Sequence, residues 1–199
     1  MSKDLQLIKI NPVAAYMLNM AVKEKKANLS FAMIKGIYVY NKYVVAAAKT
    51  QMRFTTRENL RIGETKKGFY SFKGMDKTHY HLCLDENMRM LEYKKVYNIE
   101  ADTRQAKDTS PVIEISTPGD LKAQSLFIGR LAQFKGCILD LKLIQDIFKL
   151  KNIKPFKLIY APPRNDVNCN KEVQCSDPLI FRNGFDTGLV IAPLRDYVE

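Results

Sequence analysis

Residues 176–199 read SDPLIFRNGFDTGLVIAPLRDYVE. Pro178–Arg182 is an apolar, β-prone run, and Gly188–Ala192 is a second one. Asn183-Gly184 between them is a dipeptide that favours tight hairpin turns. The stretch therefore predicts a closing β-hairpin. Pro193 has no N–H to give to a ladder, so pairing stops there. Leu194 and Arg195 follow that stop, and by themselves they read as the plain end of a strand.

Working back from this hairpin, PPRNDVNCNKEVQCSD is a long polar loop and FKLIYA a strand. In CILDLKLIQDIFKLKNIKP, a short strand Cys137–Leu139 leads to Asp140, a good N-cap. Leu141, Ile144, Ile147 and Phe148 then form one helical stripe, with Lys142, Gln145 and Lys149 opposite, and Pro155 ends the element. LKAQSLFIGRLAQFKG fits helix and strand equally well. VIEIST (112–117) reads as a strand and Pro118-Gly119 as a turn.

In the first half, Asn11-Pro12 marks a helix start, with Asn at the N-cap and Pro at the first helical position. Val13, Tyr16, Met17, Met20 and Ala21 recur at helical spacing, and Lys23, Lys25 and Lys26 crowd the last turn of a helix over 12–26. Ile37–Tyr40 and Tyr43–Ala47 flank Asn41-Lys42, which predicts a hairpin. GFYSFKG and THYHLCLD alternate like strands, whereas ENMRMLEYKKVYNIEADTRQAKDTSP is charged and ambiguous.

The formal net charge is +11 over 199 residues, and no single lysine-rich tail holds the excess. Such a balance favours polyanionic partners, chiefly nucleic acid. No apolar run approaches the ~20 residues of a membrane span. MSKDLQLIKI lacks the pattern of a secretion signal, and the four cysteines are irregularly spaced. The expectation is a cytoplasmic chain with reduced thiols and no membrane partner.

The order strand, helix, strand, loop and a hairpin ending in Pro-hydrophobic-Arg resembles the last domain of the bacterial replicative sliding clamp, the β subunit of the replicative polymerase. The matching segments are CILDLKLIQDIFKL, FKLIYA, PLIFRNG and GLVIAPLR, with Pro193 and Arg195 as near-literal signature residues. In the first half, a helix followed by IKGIYVYNKYVVAAAKTQMRF parallels the helix and hairpin of clamp domains. The match covers 12–54 and 136–195. The chain departs from the family at Ala48-Lys49-Thr50, where clamps carry Ala-Thr-Asp, and in the longer middle, 60–118. The distance suits a phage or mobile-element relative.

The resemblance implies an α+β fold, antiparallel sheets with two amphipathic helices on one face. It implies one clamp-like domain over 1–199 with an insertion at about 60–118, or two small clamp-like domains, 1–100 and 101–199. It further implies a non-enzymatic processivity or recruitment factor without cofactors. Duplex DNA would meet Lys23, Lys26, Lys142 and Lys149, and Ala192, Pro193, Leu194 and Arg195 would line a pocket for short peptide motifs of replication or repair proteins. A ring of such chains is a homo-oligomer, a trimer if each chain holds two domains.

Two other classes stay open. Tyr38, Tyr40, Tyr43, Phe69, Tyr70 and Phe72 lie on aromatic-bearing strands of a basic chain, as in a single-stranded nucleic-acid-binding protein whose rings stack bases. His79, His81 and Cys83 form an i, i+2, i+4 row on one strand face, as in a metal-dependent enzyme, although no fourth ligand is nearby. Cys169 and Cys175 are too far apart for a zinc knuckle and lack a second pair. Asp85-Glu86 and Glu100/Asp102 suit solvated charge better than a catalytic dyad. RNGFDTG is not a phosphate loop, no Gly-x-Ser-x-Gly elbow occurs, and two histidines on one strand give a catalytic triad little support.

Overall fold

The computed structural model describes residues 5–27, 35–93, 113–115, 117–123, 126–128, 131–134, 137–150, 158–161, 179–183 and 187–191. The chain divides into two compact units, Met1–Glu92 and Tyr93–Glu199. Both are built on antiparallel strands with helices between them, the α+β class expected from the sequence.

The first unit contains β1 (Leu5–Lys9), α1 (Pro12–Ala27), β2 (Gly36–Val39), β3 (Tyr43–Ala47), β4 (Gln51–Thr56), α2 (Arg57–Leu60), β5 (Gly68–Met75) and β6 (His79–Asp85). Its sheet runs β1-β6-β5-β2-β3-β4, with every neighbouring pair antiparallel. The β2–β3 hairpin turns on Asn41-Lys42 as expected, closed by the Tyr40 N–H donating to the Tyr43 carbonyl at 2.9 Å. Both strands are buried on both faces, which is why they read as unbroken apolar runs. Gly36 is required by a close approach: a Cβ there would lie 2.0 Å from the Tyr70 carbonyl oxygen on β5.

α1 begins where the sequence places it. The Asn11 side chain accepts from the Ala14 N–H at 2.9 Å, and Pro12 fills the first helical position. Val13, Tyr16, Met17 and Ala21 are buried as the stripe predicts, and Ala14 and Leu18 join them, while Met20 is half-buried. Arg53 on β4 is buried under this helix. Its guanidinium donates to the Tyr16 carbonyl at 2.7 Å and to Gln51 at 3.2 Å, and lies 4.7 Å from the Tyr16 ring. A buried charge is tolerated only with such partners. β1 has no counterpart among the expected strands. Apolar residues at 5, 7, 8 and 10 blur its alternation, and Ile8 is fully buried while Leu7 is 48 % exposed at the sheet edge.

The second unit contains β7 (Ile113–Ile115), α3 (Pro118–Ala123), β8 (Leu126–Ile128), β9 (Leu131–Phe134), β10 (Cys137–Asp140), α4 (Leu141–Phe148), β11 (Leu158–Ala161), β12 (Leu179–Asn183) and β13 (Thr187–Ile191). The described strands pair as β13-β12-β11-β7 and as β10-β9-β8. The ambiguous LKAQSLFIGRLAQFKG supplies α3's last residues and the β8–β9 hairpin, with Ile128 opposite Leu131.

Three local expectations are corrected here. Pro118-Gly119 opens a helix instead of a turn. Thr117 accepts from the Asp120 N–H at 3.1 Å, and Asp120 accepts from the Thr117 N–H at 2.7 Å, a reciprocal capping box with Pro at the first position. α4 stops at Phe148, capped by Lys149, well before Pro155. In the closing hairpin Asn183 pairs with Thr187, so the connection is 184–186 instead of a two-residue turn on Asn183-Gly184. A turn on that dipeptide would set Phe181 opposite Asp186. The observed register sets the fully buried Phe181 opposite the fully buried Leu189. Burial of the apolar set overrides turn propensity.

Candidate nucleic-acid interface

α1 buries its apolar side in the first unit, and this leaves Lys23, Lys25 and Lys26 exposed along its last two turns. Cations at a helix C-terminus also suit the helix dipole. Glu24, the acidic residue among them, is turned into the protein and is 5 % exposed. Lys25 bends back over β5, with its ammonium 5.6 Å from the centre of the Phe72 ring. The same last-turn lysine run was legible in the sequence, but which of the three would be held against the sheet was not.

α4 repeats the pattern on a shorter helix. Asp140 accepts from the Lys142 N–H at 2.9 Å and so starts it. Ile144, Ile147 and Phe148 are buried, and Lys142, Gln145 and Lys149 are exposed, as the stripe predicts. Lys149 differs from the other three lysines of the predicted set. Its ammonium lies 2.8 Å from Asp146 Oδ1. Lys23, Lys26 and Lys142 have no ion-pair partner among the described residues. Exposed ammonium groups of this kind neutralise phosphates without reading base edges.

The expected peptide pocket, Ala192, Pro193, Leu194 and Arg195, lies outside the described residues, as do Cys169, Cys175, Glu100 and Asp102. Asp85 and Glu86 are surface groups: Asp85 accepts from the Asn87 N–H at 3.1 Å, and Glu86 lies 3.6 Å from Lys66 Nζ.

The base-stacking alternative is corrected by burial. Tyr38, Tyr43, Phe69 and Tyr70 are each at most 2 % exposed. Tyr38 lies 4.7 Å from Phe69 centre to centre, Tyr43 meets Phe54 edge-on, and burial raises the Tyr38 phenol above its ordinary pKa. The half-buried pair is also engaged: Tyr40 donates to the Leu91 carbonyl, and Phe72 packs between Lys25 and Tyr80. These rings form the core and offer bases no free platform.

His79, His81 and Cys83 do share a face of β6, opposite Lys9, Leu7 and Leu5 of β1. The row serves a turn. His81 Nε2 lies 2.7 Å from Asp76 Oδ2, while Asp76 Oδ1 accepts from the Thr78 N–H at 2.6 Å, the His79 N–H at 2.8 Å and the Thr78 hydroxyl at 2.9 Å. The Thr78 N–H first, then His81, His79 and the Thr78 hydroxyl hold the Asp76 carboxyl well below the usual carboxylate range. Among the described residues no group of three or more His, Cys, Asp or Glu gathers as a metal site, so the metal-enzyme alternative finds no support. Among them also, no helix is long and apolar enough to cross a membrane.

No protein-family model and no curated protein matches the chain. Solved structures do show a likeness, and they belong to the family the sequence resembles. The chain is similar to the Helicobacter pylori β clamp bound to a DNA ligase peptide, at 12 % identity and a TM-score of 0.43 over 98 % of this chain and 67 % of that one. It is similar to the Thermotoga maritima DNA polymerase III β subunit at 9 % identity and a TM-score of 0.41, over 96 % and 65 %. A Pseudomonas aeruginosa DNA polymerase sliding clamp gives 10 % identity and a TM-score of 0.40, over 96 % and 66 %. The likeness is distant, and the chain spans about two thirds of the length of these clamps.

Proposed function

We propose that this chain is a DNA-associated, non-enzymatic factor of sliding-clamp type that holds or recruits other proteins on duplex DNA in the cytoplasm. The observation that carries the reading is the lysine pattern on α1 and α4. Each helix buries one side and leaves Lys23 and Lys26, or Lys142 and Lys149, on the other. A net charge of +11 adds a field that favours phosphates over any neutral ligand. Point-charge contacts of this sort bind backbone at any sequence, which is what a sliding or tethering protein requires.

The division after Glu92 supports two small clamp-like domains per chain, and a closed ring would then be a trimer. Ala192, Pro193, Leu194 and Arg195 are the proposed lining of a pocket for a partner's short peptide motif. The resemblance in sequence is the ground for that assignment.

The test is binding of the full chain to fluorescent single- and double-stranded DNA across a salt series, with the solution mass measured by light scattering with and without circular duplex. The expected result is salt-dependent duplex binding without sequence preference, weakened in Lys23→Gln and Lys26→Gln variants. Strong preference for single strands, or a monomer without DNA affinity, would sink the reading.

A further inference from the structure

The first unit carries a second feature beside the helix lysines. The β5–β6 ladder shifts register between Phe72 and Gly74, so Lys73 is an extra residue in β5, and it is exposed. A bulge leaves its extra residue outside the ladder and re-aims the side chains around it. The two residues that flank Lys73 are the two that Lys25 approaches. Its ammonium lies 5.6 Å from the Phe72 ring centre and 3.8 Å from the point where a Cβ on Gly74 would stand. Among the described residues, no other heavy atom beyond the chain neighbours comes within 4 Å of that point. The place of the missing side chain at Gly74 is thus bordered by a cation alone among them. Among the described residues no carboxylate pairs with Lys25 or Lys73.

We propose that this notch over Gly74 seats a backbone phosphate of duplex DNA, with Lys25 and Lys73 as its cations. The inference rests on the duplex-binding reading and adds a specific seat to it, from Lys73 on β5 and from Lys25, the α1 lysine that reading does not use. The absence of a side chain at Gly74 lets an anion approach the main chain closely. Lys25 is already folded against Phe72, so less side-chain freedom is lost on binding than for an extended lysine.

Gly74→Asp tests the seat. Gly74 does not use a left-handed backbone conformation, and a Cβ there makes only ordinary contact, so the substitution suits the fold. Its carboxylate would occupy the notch and neutralise Lys25. Gly74→Ala is the uncharged control and Lys73→Gln the complementary change. The measurement is fluorescence anisotropy of a short labelled duplex against the full chain over a salt series, with the thermal midpoint of each variant recorded. Each lost phosphate contact lowers the steepness of log K against log salt by about 0.9. Gly74→Asp and Lys73→Gln are expected to lower it by about that amount, and Gly74→Ala to lower it less. If Gly74→Asp and Lys73→Gln keep the parental slope while Lys23→Gln and Lys26→Gln reduce it, the seat is wrong and the duplex-binding reading stands. If the parent binds no duplex, both fail together.

Discussion

α1 and α4 carry the same sequence pattern, lysines opposite an apolar stripe, yet they present different chemistry. α1 is 16 residues long, and its neighbouring acid, Glu24, is buried, so Lys23 and Lys26 face solvent as unpaired charges among the described residues. α4 is 8 residues long, and Asp146 lies one turn before Lys149 and holds it. The lesson is that a lysine's position on a helix face does not set its availability. What lies three residues away, and whether that group is buried, decides it.

The largest expected effect concerns how each helix is anchored. Leu18 on α1 and Ile147 on α4 are both fully buried. Leu18→Ala and Ile147→Ala should each cost about 2–5 kcal/mol in urea unfolding. If either cost much less, that helix would be a weakly held appendage and the parallel between the two would break.

The caps come next. Asn11→Ala and Asp140→Ala each remove a side-chain acceptor from the first turn and should cost ~1 kcal/mol. Circular dichroism with thermal melts checks this. The 8-residue helix has fewer turns to share the loss, so Asp140→Ala should show the larger fractional drop in its own helix signal, read by amide exchange at 144–148.

A smaller effect sharpens the contrast directly. Asp146→Asn frees Lys149 and should strengthen duplex binding by less than about 1 kcal/mol, since the Lys149 end of the pair is exposed and screened by solvent. No gain at low salt would mean the pair never restrained Lys149.

The smallest effect involves an exposed carboxylate of the first unit, Asp76, beside His81. A carboxyl depressed in the folded state stabilises fully above the ordinary value of ~3.9, and that contribution is lost as pH falls through the folded value. Amide exchange at the β5–β6 turn, after correction for intrinsic rates, should therefore lose the protection that the Asp76 carboxylate gives as it is protonated in acid. Asp76→Asn should flatten that response.

Much of this was legible in the chain. The Asn11-Pro12 start, the Asp140 cap, the stripe at 144, 147 and 148 and the Asn41-Lys42 turn all rest on local chemistry between neighbouring residues. Other features were not. β1 is half-exposed and lacks a clean period, so only its pairing with β6 defines it. The Thr117-Pro118-Gly119-Asp120 capping box was present in the letters but Pro-Gly also suits a turn, and the reciprocal bonds decide it. Lys73 looks like any surface lysine until the bulge singles it out.

Periodicity, caps and composition were enough to mark the two lysine-bearing helices, the β-prone runs and the strong positive charge, and the family resemblance added the α+β class. Packing between distant residues was needed to show that the tyrosines are core, that Phe181 faces Leu189, that Lys149 is paired and that Lys25 lies over Gly74. The physical reason is the same in each case. These outcomes depend on which distant residue arrives alongside, and burial of apolar surface outweighs the weaker local preferences that a sequence displays.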